Sequence, residues 1–473
     1  MTEPPVVCVD FGSTFTKAAL VDVTSGSIIA SASSPTTIET DVLDGFETCL
    51  LALSDADERA ADARVLACSS AGGGLRVAVL GNEALVTAEA GRRVALSSGG
   101  KVVRVLAAAQ ADQAAYADLV GTADADVVLL TGGTDGGNSE VLLTGARSLV
   151  AAGWTGPVVV AGNVEAQSEV AGILAGVPHV IADNVVPRIG VLEPQSARNA
   201  IREVFLSHVI GGKHLSARAD FLAMVRGATP DVVLTGVELL ARGNDRGNDR
   251  GNDAQRPGIG DVVVVDVGGA TTDVHSVVEV DPESGGLARE VVAITPVTRT
   301  VEGDLGMRWS AVTTVEEGIA AGLIEEGADQ LQDAAARRLA DPGFLPADPE
   351  ETAYDEQLAA AASGLALRRH AGRSRVVVSP EGRVVERSGK DLREVDLVVC
   401  SGGVFRNGVD GAEKRMLADS IGEPPGGWQL PRAPRVVVDT DYVLAAAGLL
   451  AQTHPEAAYR LVRTLWEPVA REQ

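Results

Sequence analysis

Asp10-Phe-Gly-Ser-Thr-Phe-Thr-Lys17 lies between two apolar runs, and the reading of this stretch decides the fold. A strand from Val6 to Asp10, a turn from Gly12 to Thr14 and a strand from Ala18 to Val23 make a hairpin. Thr24-Ser25-Gly26-Ser27 is a further turn, and Ile28 to Ser31 begins a third strand. No helix follows the first glycine turn, so the start is a β-meander and not a dinucleotide-binding unit. The pattern returns at Asp266-Val-Gly-Gly-Ala-Thr-Thr-Asp273, between a strand from Val262 to Asp266 and another from Val274 to Val280.

Both stretches suit a phosphate for the same reasons. Glycine lets the backbone come close and turn with positive φ. Successive N–H groups in such a turn form a concave nest for an anion. Gly12, Gly268 and Gly269 supply the turns, and Ser13, Thr14, Thr271 and Thr272 add hydroxyl donors. Asp10 and Asp266, each at a strand end, are placed to hold Mg²⁺ through its water shell. Lys17 supplies a point charge for the β- and γ-phosphates of a nucleotide. One Asp-x-Gly turn alone is ordinary turn chemistry. Two of the same design are harder to explain that way.

The chain has 473 residues, which implies two large lobes with separate cores. Aromatics make up only 3% of it, so Val, Leu, Ile and Ala must build those cores. The net charge of −25 opposes binding to nucleic acid or an anionic membrane, which need clustered Lys and Arg. Four cysteines, Cys8, Cys49, Cys68 and Cys400, show no metal spacing, and a reduced cytoplasmic state fits them. The first residues show no signal peptide, and no run approaches a membrane span.

Between the hairpins the rhythm changes. A helix around 45–54, a strand from Val65 to Ser69 and a strand from Arg76 to Leu80 come first. Residues 123 to 191 then read β-α-β-α-β, the signature of a parallel sheet inserted in the first lobe. Its first strand ends in Gly132-Gly-Thr-Asp-Gly-Gly-Asn138. That turn either binds an anion at a strand's C-terminal end or is only a tight βα connection. Residues 194 to 241 read as helices. Arg242-Gly-Asn-Asp then occurs three times, to Asp253, and reads as a mobile surface loop. Helices dominate 309–340, and an apolar helix spans Tyr442 to Gln452.

The paired hairpins resemble those of the superfamily of actin, sugar kinases and seventy-kilodalton heat-shock ATPases. That resemblance implies an α/β, two-lobed actin-like ATPase with duplicated, ribonuclease H-like lobes. It implies lobe I at 1–260, lobe II at 261–440, and C-terminal helices at 441–473 returning to lobe I. It further implies ATP and Mg²⁺ clamped between the hairpins, with Asp10 and Asp266 as the catalytic pair. Val398-Val-Cys-Ser-Gly-Gly-Val404 is similar to the turn that packs on adenosine, which assigns Gly402 and Gly403 to the nucleotide. Val301-Glu-Gly-Asp-Leu-Gly306 is similar to a helix-opening segment near the nucleotide, which assigns Glu302 and Gly303. Relatives place a Glu or Gln on the first interlobe helix to orient the attacking water. Here the nearest residues are Thr229, Asp231 and Glu238, and none matches that position. Asp10 or Asp266 is the alternative for that task.

Four stretches carry a narrower resemblance: Cys68-Ser-Ser-Ala-Gly-Gly-Gly-Leu-Arg76, Leu130 to Asn138, Gly162-Asn-Val164 and Asp266 to Ser276. They resemble the glutamate mutase-associated MutL family. The family implies an ATP-driven reactivating chaperone whose partner is an adenosylcobalamin-dependent mutase subunit. A small-molecule kinase and a filament former share the fold and remain alternatives. His275 reads as a packed histidine, and no Asp-x-His-x-x-Gly motif marks the chain as a mutase itself.

Overall fold

A computed structural model describes residues 3–83, 86–108, 111–244, 257–279, 295–325, 327–379, 382–423 and 425–467. Two sheets repeat one plan. In the first, β1 (Val6–Phe11), β2 (Phe15–Asp22) and β3 (Ser27–Pro35) form the antiparallel meander. β4 (Arg64–Ser69) and β10 (Val225–Ala228) add parallel to it, in the order β10-β4-β1-β2-β3. In the second, β11 (Val262–Val267), β12 (Thr272–Val277) and β13 (Val297–Glu302) form the meander. β16 (Leu397–Ser401) and β17 (Arg435–Val438) add parallel, in the order β13-β12-β11-β16-β17. The same order of five strands with the same directions, twice, is the duplicated ribonuclease H-like architecture of the actin-like fold.

The continuous apolar runs of β1 and β11 follow from burial on both faces. One face of each sheet packs on its own lobe's helices, through Val7, Val9 and Phe11 in the first and Val263, Val265 and Val267 in the second. The opposite faces share a core that joins the lobes, with Val6, Cys8 and Leu66 from one and Val262, Val264 and Val399 from the other. Two helices, Thr229–Arg242 and Val443–Leu450, fill this shared core and cross each other. Their backbones touch at two glycines. A Cβ on Gly236 would fall 2.2 Å from the Leu444 carbonyl oxygen, and one on Gly448 would fall 2.0 Å from that of Val232. Only glycine permits that approach. The helix Pro455–Arg463 packs on Thr229–Arg242 and on β3, and Arg460 donates to the Thr24 carbonyl.

The inserted sheet is larger than the sequence reading placed it. It begins at Leu75, not near 123, and holds β5 (Leu75–Gly81), β6 (Gly100–Ala107), β7 (Val127–Leu130), β8 (Val158–Val160) and β9 (His179–Ile181). All pairs are parallel, in the order β6-β5-β7-β8-β9. β6 escaped notice because Lys101 and Arg104 interrupt its apolar pattern at a sheet edge. β10 lies inside a stretch read as helical, since four residues carry too little periodicity to show. The 22-residue helix Pro349–His370 and the hairpin of β14 (Arg373–Ser379) and β15 (Gly382–Ser388) were also not foreseen. Of the Arg-Gly-Asn-Asp repeat, Arg242 ends a helix, and residues 245–256 lie outside the described residues. All four cysteines are free and buried. Among the described residues no helix is long and apolar enough to cross a membrane.

Candidate functional site

The register of the two meanders puts four charged residues in matching places. Asp10 pairs with Lys17 across β1 and β2, and Asp266 pairs with Asp273 across β11 and β12. Side chains alternate along a strand, so these four share the interlobe faces with Val6, Cys8, Val21, Val262, Val264 and Val277. Each Asp also has a parallel neighbour in matching register, Cys68 for Asp10 and Ser401 for Asp266. Lys17 Nζ donates to Asp10 Oδ2 at 3.5 Å. Burial alone would lower the Lys17 ammonium, but the charges of Asp10 and Asp266 outweigh it and hold its pKa above the usual lysine value. The Asp266 carboxyl is shifted upward, first by burial and then by Asp273 and Asp10, against the pull of Lys17. Crowded carboxylates of this kind favour a cation between them.

The hairpin tips meet. A Cβ on Gly269 would lie 3.0 Å from Thr14 Oγ1, and Thr14 Oγ1 is buried with no hydrogen-bond partner among the described residues. The carbonyls of the turns are engaged on the side away from this contact. Thr36 takes the Gly12 and Thr14 carbonyls through its hydroxyl and its N–H. Met307, Arg308 and Trp309 donate their N–H groups to the Gly268 and Gly269 carbonyls, and Ser310 Oγ donates to that of Ala270. Among the described residues the N–H groups of Ser13, Thr14, Gly269 and Ala270 donate to no protein acceptor. A pair of turns with carbonyls tied back and N–H groups unpaired, beside an orphaned hydroxyl, fits an anionic ligand with a metal.

A profile of the family described as MutL protein matches residues 6–465. Protein MutL of Clostridium tetanomorphum is 35% identical over 461 residues, spanning 96% of this chain and 97% of that protein. This chain belongs to the MutL family. Two solved structures give distant likenesses to this MutL family member. The activator of the 2-hydroxyisocaproyl-CoA dehydratase from Clostridium difficile is 11% identical, with 99% of each chain covered and a TM-score of 0.31. A gluconate kinase from Lactobacillus acidophilus is 12% identical, with 98% and 92% covered and a TM-score of 0.32. The fold rests on the strand order and not on these scores.

Within this MutL family chain the three polar residues at the first interlobe helix separate cleanly. Thr229 Oγ1 donates to Asp10 Oδ1 at 2.5 Å. Asp231 is buried and paired with Arg202 at 2.6 Å, and Glu238 is paired with Arg198 at 2.9 Å. Only Thr229 addresses the hairpins. The other residues divide in the same way. Ser13 is exposed at the first tip, and Thr271 donates to Asp273 at 3.2 Å. Thr272 alternates with Asp273 and shares its face with Val274, on the side of lobe II's own core, and its buried hydroxyl has no hydrogen-bond partner among the described residues. Glu302 is the cross-strand partner of Thr272, and its carboxylate binds Arg369 at 2.8 Å, on the helix Pro349–His370. Gly303 borders the inserted sheet, where its Cβ would lie 3.2 Å from Lys101 Nζ. The segment that does brace the second hairpin is 307–310, just past the motif singled out. Gly402 packs against the base of that hairpin, its Cβ position 2.2 Å from the Val267 carbonyl, and Gly403 starts the next short helix.

Two residues were not anticipated. Tyr442 caps the second interlobe helix in the left-handed region at φ 58°, with Lys17 and Arg406 over its ring at 5.1 and 4.0 Å. Arg299 donates to Asp273 Oδ1 through Nε at 2.9 Å and Nη2 at 2.5 Å. Its Nη1 reaches the Leu96 and Gly100 carbonyls at 3.0 and 3.2 Å, which ties the second hairpin to the inserted subdomain. Nothing in the local sequence around Arg299 signals this, because its partners lie about 200 residues away.

Proposed function

We propose that the chain binds Mg-ATP between its two hairpins and hydrolyses it to reactivate an adenosylcobalamin-dependent mutase of the glutamate mutase or aminomutase type in the cytoplasm. The observation that carries the ATP reading is Lys17, held by charge between Asp10 of one lobe and Asp266 of the other where the hairpin tips meet. Lys17, the N–H groups of Ser13, Thr14, Gly269 and Ala270, and the Thr14 and Thr271 hydroxyls bind the phosphates. Asp10 and Asp266 would hold magnesium through water, and the metal would supply positive charge that stabilises the phosphates during transfer. Asp10 orients the attacking water, and the Thr229 hydroxyl fixes the rotamer of that carboxylate. Gly402 and Gly403 would pack on the adenosine of the bound nucleotide.

The hairpins belong to separate sheets, so a ligand that both hold favours a closed arrangement, and its loss favours an open one. A mutase that binds one arrangement better is then remodelled during turnover. Membership in the MutL family supports this partner. The test is phosphate release by the purified protein with and without an inactivated cobalamin mutase. Turnover that responds to the mutase supports a reactivase. Turnover that responds only to a sugar or small acid identifies a kinase, and ATP-dependent light scattering identifies a filament former.

A further inference from the structure

Three non-glycine residues among those described have left-handed backbone, Asp124, His214 and Tyr442. Asp and His tolerate that region more readily than other side chains, whereas a bulky residue there is an outlier. Such strain persists where the surrounding contacts impose it, and it gathers at functional sites. At Tyr442 the contacts are plain. Asp439 accepts the N–H groups of Val443 and Leu444, and the Tyr442 carbonyl accepts the Ala446 N–H, so the second interlobe helix begins directly after this residue. That helix is held against Thr229–Arg242 at Gly236 and Gly448. Glycine would meet the same backbone requirement without strain. The side chain therefore has a task that glycine would not perform.

The ring is shared by two cations from different lobes. Lys17 Nζ, on β2 of lobe I, lies 5.1 Å from its centroid. Arg406 Cζ, on the short helix Gly403–Arg406 of lobe II, lies 4.0 Å from it. Both fall inside the range of about 6 Å at which a cation is attracted to an aromatic face. Lys17 reaches Asp10 only at 3.5 Å, whereas a charge-assisted bond commonly measures about 2.7–2.9 Å. Its ammonium is thus divided between a carboxylate and a ring. The Arg406 guanidinium makes no hydrogen bond or ion pair among the described residues. Burial acts on it most strongly, and Asp441 and Asp439 reach it through their charge alone.

We infer that Tyr442 is a positioning residue for the nucleotide: its ring holds the Lys17 ammonium off Asp10 and the Arg406 guanidinium beside it, so that each lobe presents one cation to the same ligand. The inference rests on the ATP reading above. Without the ring, Lys17 closes on Asp10 and Arg406 turns toward Asp439 or Asp441, and both charges are then less available to a phosphate chain. Holding them ready lowers the reorganisation that binding requires. The strained backbone keeps the ring in place, because the helix that follows fixes where Tyr442 stands.

The test compares the full chain with Tyr442→Phe and Tyr442→Gly by Mg-ATP calorimetry, phosphate release and chemical denaturation. Tyr442→Phe keeps the ring and should bind ATP within about twofold of the parent. Tyr442→Gly suits the backbone, so it should be at least as stable as the parent. It should nevertheless bind ATP about tenfold more weakly, with KM raised to match and kcat within a few-fold. A residue that only starts a helix gives the opposite result, since glycine would then bind as well as tyrosine. If Tyr442→Gly does not fold, Tyr442→Leu, which keeps the bulk without the π face, takes its place. A second readout needs no nucleotide. The chain has five lysines, at 17, 101, 213, 390 and 414, so ¹³C labelling at the lysine ε-carbon gives few NMR signals, and Lys17→Arg assigns the one at issue. That signal should carry a ring-current shift in the parent and in Tyr442→Phe and lose it in Tyr442→Gly. ATP binding by the parent that Tyr442→Gly leaves unchanged, or that both variants weaken equally, overturns the inference while the ATP reading stands. So does a Lys17 signal that is the same in the parent and in Tyr442→Gly. No ATP binding by the parent overturns the ATP reading and the inference with it.

Discussion

Thr229 Oγ1 donates to Asp10 Oδ1 at 2.5 Å, so the first residue of the first interlobe helix holds the carboxylate at the base of the first hairpin. Under the proposed function, this hydroxyl acts through Asp10 in place of the Glu or Gln that the wider superfamily resemblance leads one to seek. Thr229→Val keeps the shape and removes the donor. It should lower kcat for ATP hydrolysis by about tenfold to a hundredfold while leaving KM for ATP within a few-fold, and Thr229→Ser should restore most of the rate. Steady-state phosphate release across an ATP series measures both constants.

Lys17 is the cation between Asp10 and Asp266, and its removal leaves crowded carboxylates with no counter-charge. Lys17→Ala should abolish nucleotide binding measured by calorimetry. Lys17→Arg keeps the charge but not its compact shape, and should recover only part of the affinity.

The legibility of this site followed the range of the interactions. Asp10 to Lys17 and Asp266 to Asp273 were readable because a hairpin closes within a few residues, so turn chemistry and strand register are both local. Tyr442 was missed because a tyrosine with left-handed backbone, set between Lys17 and Arg406, depends on chain segments more than 400 residues apart. The contacts of Glu302 and Thr272 were not readable for a different reason: the face of a strand is visible only once the register is known. The two-lobed plan was legible from the repeated hairpin. The extent of the inserted sheet was not, because β6 carries charged residues in its centre.

Arg299 joins Asp273 to the Leu96 and Gly100 carbonyls and is almost wholly buried. Removing one partner of a buried pair strands the other, so Arg299→Met should destabilise the protein by about 3–5 kcal/mol. Hydrogen exchange should rise most in residues 94–104, where the carbonyl contacts are lost. Chemical denaturation with exchange mass spectrometry checks both.

Asp439 is buried and accepts the N–H groups of Val443 and Leu444 at the start of the second interlobe helix. Burial, with smaller contributions from Asp441 and Asp266, raises its pKa from 3.8 to about 6. The folded protein therefore holds this proton to higher pH than the unfolded chain does. The associated stabilisation is fully present below pH 3.8 and is lost as pH rises through about 6. Asparagine removes the charge and keeps one of the two accepting oxygens. Asp439→Asn should match the parent near pH 4 and be more stable above pH 6, by roughly 3 kcal/mol. Denaturation of both proteins across that range measures the difference.

The most direct test of the account is recovery of a cobalamin mutase that has been inactivated on its cofactor. The mutase is incubated with fresh adenosylcobalamin, Mg-ATP and either the parent chain or Lys17→Ala, and mutase activity is followed. The account predicts that activity returns with the parent and ATP together, and not with Lys17→Ala or without ATP. Recovery that is equal for both proteins, or no recovery while the parent chain hydrolyses ATP, would contradict it.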